Sequence, residues 1–184
     1  MVLLQSEYKQ LKKGDNAPAF ILPGIDGKKY SVSDFKSAQA LLIIFMCNHC
    51  PYVLPKIKEL KRIALDYKNK GLMVIGINSN EDQNYPEDSF SKMKEYAQGW
   101  ELPFPYLRDE SQHIAKRYGA VCTPDPFLFD QNFKLIYHGR IDDTHGKEIA
   151  GKHELYDTIG EFLSTGKITL LEKHSMGCSI KWKV

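Results

Sequence analysis

Two short apolar runs and the amphipathic segment between them form the clearest pattern in the chain. Residues 41–46 are apolar and include β-branched side chains, and residues 72–78 repeat this character, so both runs predict buried strands. Between them, apolar residues recur at spacings of three and four over residues 51–70, which predicts a helix with one buried face that ends before Gly71. Strand, helix and strand in this order predict a parallel pair joined by a right-handed crossover.

The remainder of the chain alternates between further strand and helix signals. The expected elements are a β-hairpin around Asp26-Gly27, a helix from the N-cap Asp88 to about residue 98, a short helix ending at Tyr118, antiparallel strands over 126–130 and 133–139, and a helix over 152–165. This order predicts an α/β fold, with a central mixed β-sheet flanked by helices on both faces and an N-terminal β-hairpin extension.

The chain of 184 residues has the length of a single domain, with a core at about residues 12–165. Residues 1–16 are mixed and polar and predict a loosely held lead-in, and residues 166–184 form a C-terminal tail. The helix after the first apolar run is expected to begin at Pro51, and Pro55 should bend its axis.

Charge and composition exclude several classes of function. With 25 basic and 23 acidic residues the net charge is +2, which predicts neither nucleic-acid nor membrane binding. No apolar run approaches the ~18 residues of a membrane span, and the N-terminal apolar block is too short for a signal peptide, so we expect a cytoplasmic protein. In that compartment four cysteines are not expected to form structural disulfides, and a Cys-x-x-Cys pair indicates metal binding or redox chemistry.

Such a pair stands directly after the first apolar run. Cys47 and Cys50 are separated by two residues, and Pro51 suits the first position of a helix, so Cys47 is expected at a helix N-terminus. Free amide hydrogens and the positive end of the helix dipole favour a thiolate there. The spacing predicts a dithiol in which Cys47 attacks a disulfide as the thiolate and Cys50 resolves the mixed disulfide.

Other interpretations of these residues stay open. The two cysteines would also suit two buried small side chains at a strand–helix junction, or half of a zinc site, although no second Cys-x-x-Cys and no His-x₃₋₅-His is present. His49, which lies between them, is expected to stabilise the thiolate through a hydrogen bond or its charge, the alternative being a solvated loop histidine.

A second motif, Thr123-Pro124, precedes the strand at 126–130. Beside a Cys-x-x-Cys pair we expect a cis Thr123–Pro124 bond, which would place the Thr123 backbone next to the thiols. An extended substrate could pair with that backbone as an added strand. Cys122 is either a packed small residue or a third thiol near the pair, and Cys178 is either incidental or an additional resolving thiol.

These motifs resemble those of the thioredoxin-like superfamily. Residues 47–51, with Pro55 beyond them, are similar to the thioredoxin active site and its kinked helix, and Thr123-Pro124 is similar to the cis-proline loop. The resemblance implies a thioredoxin-like fold and a thiol-disulfide oxidoreductase. The candidate residues are Cys47, Cys50 and His49 for catalysis, and Thr123, Pro124 and Cys122 for substrate binding.

Residues 14–20 and 104–109 are similar to the AhpC/TSA (redoxin) branch, which includes peroxiredoxins and thiol-disulfide oxidoreductases. The match covers roughly residues 12–165, and the tail at 177–182 resembles that of an uncharacterised bacterial group of thioredoxin-like proteins. The resemblance implies no cofactor and no metal. It implies a disulfide-containing protein, a small thiol or a peroxide as substrate, and an electron donor such as a thioredoxin-type reductant.

Two departures from the family patterns bear on the chemistry. Leu41 stands where thioredoxins keep a buried acid, so proton transfer to Cys50 would need another group or water. Cys50-Pro51 matches the Cys-Pro of peroxiredoxins, but Cys47 replaces their threonine, which weakens the alternative of a thiol peroxidase. A third hypothesis is a metal-binding or redox-sensing module that uses Cys47, Cys50 and either Cys122 or His49.

Overall fold

The computed structural model describes residues 2–144 and 149–183. The strands of this part of the chain are β1 (Leu3–Gln5), β2 (Ile21–Pro23), β3 (Lys29–Ser31), β4 (Ala40–Phe45), β5 (Leu72–Asn78), β6 (Tyr106–Arg108), β7 (Cys122–Thr123), β8 (Asp125–Asp130), β9 (Leu135–His138) and β10 (Met176–Ser179). Its α-helices are α1 (Ile57–Lys68), α2 (Phe90–Gly99), α3 (His113–Tyr118) and α4 (Glu154–Thr165).

The predicted mixed sheet is confirmed, with five strands in the order β6-β5-β4-β8-β9. The central strand β4 runs parallel to β5 and antiparallel to β8. In this register Phe45, the last residue of β4, is opposite Asp125, the first residue of β8. The chain leaving β4 therefore lies beside the chain entering β8, and this places residues 46–50 next to Thr123-Pro124.

Strand β4 is buried on both faces, which is why its sequence is uniformly apolar rather than alternating. Leu42 and Ile44 point into a core that also contains residues of α1, α2 and α4. Leu41, Ile43 and Phe45 point into a second core that contains residues of α3 and of the β2–β3 hairpin. Helices on both faces are thus confirmed, as is the hairpin predicted around Asp26-Gly27.

The predicted start of the helix after Cys50 is wrong. Residues 51–53 form a turn, Leu54–Lys56 form a 3₁₀ helix, and α1 begins only at Ile57. Pro55 has no N–H to donate to the carbonyl of Pro51, so regular α-helical bonding cannot run through this turn. Because Pro55 precedes α1, it shapes the helix entry instead of bending the helix axis.

The lead-in is not loosely held, contrary to the prediction, and the tail is also paired with the rest of the chain. Strand β1 pairs with β10, and β10 pairs with β7, in a three-stranded antiparallel sheet separate from the central one. The last helix ends at Thr165, so β10 belongs entirely to the predicted tail. Both terminal regions are thereby joined to the loop that carries Thr123.

No helix within residues 2–144 and 149–183 is long and apolar enough to cross a membrane.

Candidate active site

The two cysteines and the Thr123-Pro124 loop meet at the end of the central strand. Cys47 Sγ lies 3.3 Å from Thr123 Oγ1, and Cys50 Sγ lies 3.3 Å from the Thr123 carbonyl oxygen. The Thr123–Pro124 peptide bond is cis, as predicted. The structure therefore brings Cys47, Cys50, Thr123 and Pro124 together, with Thr123 touching both sulfur atoms.

The two thiols differ in their tendency to ionise. A hydrogen bond from the Cys47 thiol is the main cause that lowers the pKa of Cys50 to about 5. Further hydrogen bonds from the thiol and the backbone amide of Cys178 and from Thr123 act in the same direction, and together these donors outweigh burial. The contact with Cys50, burial and the negative charge of Asp88 raise the pKa of Cys47.

The assignment of the thiolate to Cys47 stays a prediction. It was based on a helix N-terminus at Cys47, whereas α1 begins at Ile57 and the turn before it starts at Cys50, whose carbonyl accepts from the Leu54 amide at 3.1 Å. The hydrogen bonds that lower a thiol pKa converge on Cys50, which makes Cys50 the other candidate for the attacking thiolate.

His49 is held beside the thiols by a buried carboxylate. Its Nδ1 atom lies 2.9 Å from Asp88 Oδ2, and its ring stacks on Tyr85 with centroids 5.9 Å apart and planes 8° from parallel. The contact with Asp88 raises the pKa of His49 and outweighs burial, which acts in the opposite direction. The His49 side chain is 22% exposed, so this histidine is the solvent-facing member of the site.

Asp88 was missed as a site residue, because its position before a helical pattern indicated an N-cap. The N-cap of α2 is Ser89, and Asp88 is fully buried. Its carboxylate accepts hydrogen bonds from the Asn48 amide at 2.8 Å and from Asn80 Nδ2 at 2.7 Å. Burial alone would raise the pKa of Asp88, but His49, Asn80 and the Asn48 amide together lower it, so the carboxylate is ionised.

The C-terminal strand β10 covers the thiols. Cys178 is paired in register with Thr123, and the hydrogen bonds to Cys50 place its thiol and amide against that sulfur. With β10 in this position, Cys47 is 1% exposed, Cys50 0% and Cys178 3%. The backbone edge that was expected to receive an extended substrate is thus already paired with a strand of the same chain. We call β10 the cover strand.

Cys122 lies beside this site but its thiol points elsewhere. It precedes Thr123 in β7, so its side chain faces the opposite side of the strand, and it is paired in register with Ser179. Burial is the main cause that raises its pKa. Within the described residues its thiol makes no hydrogen bond to Cys47 or Cys50. Its role in substrate binding stays a prediction, and the third thiol next to the pair is Cys178.

Three donor atoms at the site could hold a metal ion. Cys47 Sγ, a ring nitrogen of His49 and a carboxylate oxygen of Asp88 all lie within 4.8 Å of one another. This set shares Cys47 and His49 with the metal-binding hypothesis from the sequence, but its third ligand is Asp88 and not a cysteine.

A solved structure has the same fold as this molecule. The thioredoxin domain of a thiol-disulfide oxidoreductase from Bacteroides vulgatus superposes with a TM-score of 0.66 at 20% sequence identity. The superposition covers 83% of this chain and 99% of that domain. The described residues thus have the thioredoxin-like α/β fold predicted from the sequence.

The chain belongs to the AhpC/TSA family, whose family model matches residues 13–138, and it is an oxidoreductase of this redoxin type. The thiol-disulfide oxidoreductase ResA from Bacillus cereus (strain ATCC 10987 / NRS 248) is 29% identical over 133 residues, which are 71% of each chain. An uncharacterized conserved protein from Geobacillus kaustophilus is 41% identical, and its crystal structure superposes with a TM-score of 0.93 over 100% of this chain and 97% of its own. The similarity to the second protein therefore extends over the cover strand.

Proposed function

We propose that the chain is a thiol-disulfide oxidoreductase in which Cys47 and Cys50 alternate between a dithiol and a disulfide. The observation that carries this proposal is the contact of both sulfur atoms with one residue, Thr123, at 3.3 Å each. Such a contact holds the two thiols together beside backbone that is suited to pairing with a strand. The lowered pKa of Cys50 supplies the thiolate that disulfide exchange requires.

The lowered pKa of Cys50 supports a first attack by Cys50, the reverse of the order expected from the sequence. The Cys50 thiolate attacks one sulfur of a substrate disulfide, forming a mixed disulfide and releasing a substrate thiolate, which takes the proton of Cys47. The Cys47 thiolate then attacks the Cys50 sulfur, closes the Cys47–Cys50 disulfide and releases the second substrate thiolate. Two electrons pass to the substrate, and an external thiol donor must return them.

Cysteine variants test both the reaction and its order. Cys50→Ser should abolish turnover of a disulfide such as that of insulin, while circular dichroism shows an unchanged fold. Cys47→Ser combined with Cys178→Ala leaves Cys50 without a neighbouring thiol, so this double variant should also lose turnover and should accumulate a stable mixed disulfide at Cys50. If the mixed disulfide accumulates in Cys50→Ser at Cys47 instead, the order of attack is wrong but the proposed reaction stands. Full turnover by both variants would refute the proposal.

Peroxide reduction is the second candidate, and the burial of Cys50 favours it. Cys50 is 0% exposed, so hydrogen peroxide needs a smaller displacement of the cover strand to reach this sulfur than a protein disulfide does. The Cys50 thiolate would take one peroxide oxygen to become a sulfenic acid and release hydroxide, and Cys47 would condense with it to a disulfide and water. Stopped-flow mixing of the reduced protein with hydrogen peroxide tests this, and a rate no faster than that of free cysteine excludes it.

The substrate and the location follow as further parts of the proposal. The substrate is a protein disulfide, a small thiol or a peroxide, and a thioredoxin-type protein is the proposed electron donor. The cytoplasmic location stays a prediction from the sequence. Fractionation of the source cells, with alkylation of thiols before lysis, tests the location and the redox state of the four cysteines together.

A further inference from the structure

Cys50 lies between two other thiols, those of Cys47 and Cys178, and only Cys47 belongs to the Cys-x-x-Cys pair. Cys47 donates a hydrogen bond to Cys50 from within the pair, and Cys178 donates one from the cover strand. Cys178 is held at this position by its pairing with Thr123, the residue that also contacts both active-site sulfur atoms. The third thiol is therefore built into the site through backbone pairing.

The rest of the cover strand fixes this position further. Gly177 lies so close to the Thr123-Pro124 loop that a Cβ atom there would be 1.9 Å from the Thr123 carbonyl oxygen. Beyond β10, the Lys181 amide donates to Asn80 Oδ1 at 2.9 Å, and Asn80 also donates to the carboxylate of Asp88. The segment that carries Cys178 is thus held on one side by the Thr123-Pro124 loop and on the other by Asn80, which donates to the Asp88 carboxylate beside His49.

We propose that Cys178 is a second resolving thiol, which takes Cys50 from the Cys47–Cys50 disulfide and forms a Cys50–Cys178 disulfide. This inference rests on the proposed function, because that reaction supplies the Cys47–Cys50 disulfide. The Cys178 thiol loses its proton and attacks the Cys50 sulfur. The Cys47–Cys50 bond breaks, and Cys47 leaves as a thiolate that takes up the proton. The exchange is balanced, since one disulfide replaces another and no electrons enter or leave the protein.

The exchange changes what the disulfide does. The Cys47–Cys50 bond closes a small ring within one loop, whereas the Cys50–Cys178 bond attaches the cover strand covalently to the active site. The protein then keeps its two oxidising equivalents in the Cys50–Cys178 disulfide, which the cover strand shields, and Cys47 is a reduced thiol. Access to the disulfide from outside would then depend on reduction by a small thiol or on attack by Cys47.

Peptide mapping after mild oxidation tests the inference. Trypsin cleaves after Lys56 and Lys173, so Cys47 and Cys50 share one peptide while Cys178 lies on another. Reduced protein is oxidised with one equivalent of diamide, its remaining thiols are alkylated under denaturing conditions, and the peptides are mapped without reduction. In Cys47→Ser the two peptides should be recovered linked through Cys50 and Cys178. In Cys178→Ala only the bond within the first peptide should form.

Cys122→Ala is the matched control, because Cys122 is a buried cysteine adjacent to the same loop whose thiol faces away. In this variant the linked pair and the internal disulfide should both form as in the unaltered chain. Free thiols at Cys50 and Cys178 in oxidised Cys47→Ser, or a bond from Cys50 to Cys122, would overturn the inference. If the Cys47–Cys50 disulfide forms but Cys178 is never linked, only this inference fails; if neither disulfide forms in the unaltered chain, the proposed function fails with it.

Discussion

Gly177→Ala is the substitution that tests the cover strand most directly. A Cβ at this position would lie 1.9 Å from the Thr123 carbonyl oxygen and 2.6 Å from its carbon. Both are backbone atoms and cannot rotate away as a flexible side chain would. To reach the 3.4 Å of ordinary contact, β10 must move away from β7 by about 1.5 Å, the difference between 3.4 and 1.9 Å.

A displacement of this size breaks neighbouring hydrogen bonds. The Ile180 amide donates to the Val121 carbonyl at 2.9 Å, and a shift by the required amount takes it out of range. Overpacking costs about 1–3 kcal/mol and each lost hydrogen bond about 0.5–1.5 kcal/mol, so we expect a loss of about 2–4 kcal/mol in the free energy of unfolding. In a domain of this size that loss lowers Tm by about 4–16 °C.

Two measurements on the reduced protein check this prediction. Calorimetry should show the lower Tm, and iodoacetamide should alkylate Cys50 faster, because the strand that covers it has moved. Gly99→Ala is the control, since Gly99 ends α2 and a Cβ there meets nothing within 4 Å. Its Tm should be unchanged or slightly higher. A Gly177→Ala protein with the Tm and alkylation rate of the unaltered chain would refute the reasoning.

Four further predictions concern the charges and hydrogen bonds of the site. Reduced protein should retain the ultraviolet absorbance of one thiolate down to a pH of about 5, and Cys50→Ala should lose it. The lowered pKa of Cys50 also stabilises the folded protein. This contribution should be complete above the ordinary thiol pKa of ~8.5 and should be lost as the pH falls through the lower folded-state pKa. Urea unfolding at a series of pH values measures it. Asp88→Asn removes the carboxylate beside His49, so the His49 pKa followed by NMR should fall, and an unchanged titration would contradict the role given to Asp88. Tyr106→Phe removes the hydroxyl that donates to Asn48 Oδ1 at 3.0 Å; the free energy of unfolding should fall by about 1–2 kcal/mol, and no change would show that this bond contributes nothing.

The central sheet could be predicted because its signals are local. Residues 41–46 and 72–78 are short, largely apolar runs, and each became a strand buried on both faces or nearly so. The short link at residues 131–134 fixed β8 and β9 as antiparallel neighbours, as expected. In each case the residues that determine the element lie within it or directly beside it.

The cover strand could not be predicted, since its stability comes from residues far away in the sequence. Met176–Ser179 contains a glycine and no alternation of apolar and polar residues, so it carries no strand signal of its own. It becomes a strand because Leu3–Gln5 and Cys122–Thr123 pair with its two edges. The same non-local pairing places Cys178 next to the sulfur of Cys50, whereas the sequence indicated only a cysteine in the tail.

The site was found in part for a similar reason. The spacing of Cys47 and Cys50 and the Thr123-Pro124 motif are visible in the sequence, and the fold brings them together. Asp88 could not be recognised as a site residue from the sequence. Its carboxylate accepts a hydrogen bond from the Asn48 amide, and Asn48 lies 40 residues away in the chain. A local pattern described it equally well as a helix cap, and only the packing of the loop after β5 decides between the two.

The cover strand follows the central sheet along the chain, and this order has a consequence during synthesis. Ribosomes add residues in the direction of the C-terminus, so the strands of the central sheet, Thr123 and both pair cysteines are synthesised before residues 176–179. A nascent chain that folds this sheet first presents its dithiol uncovered to the thiols and oxidants around it. The dithiol is shielded only when β10 emerges and pairs with the strand that contains Thr123.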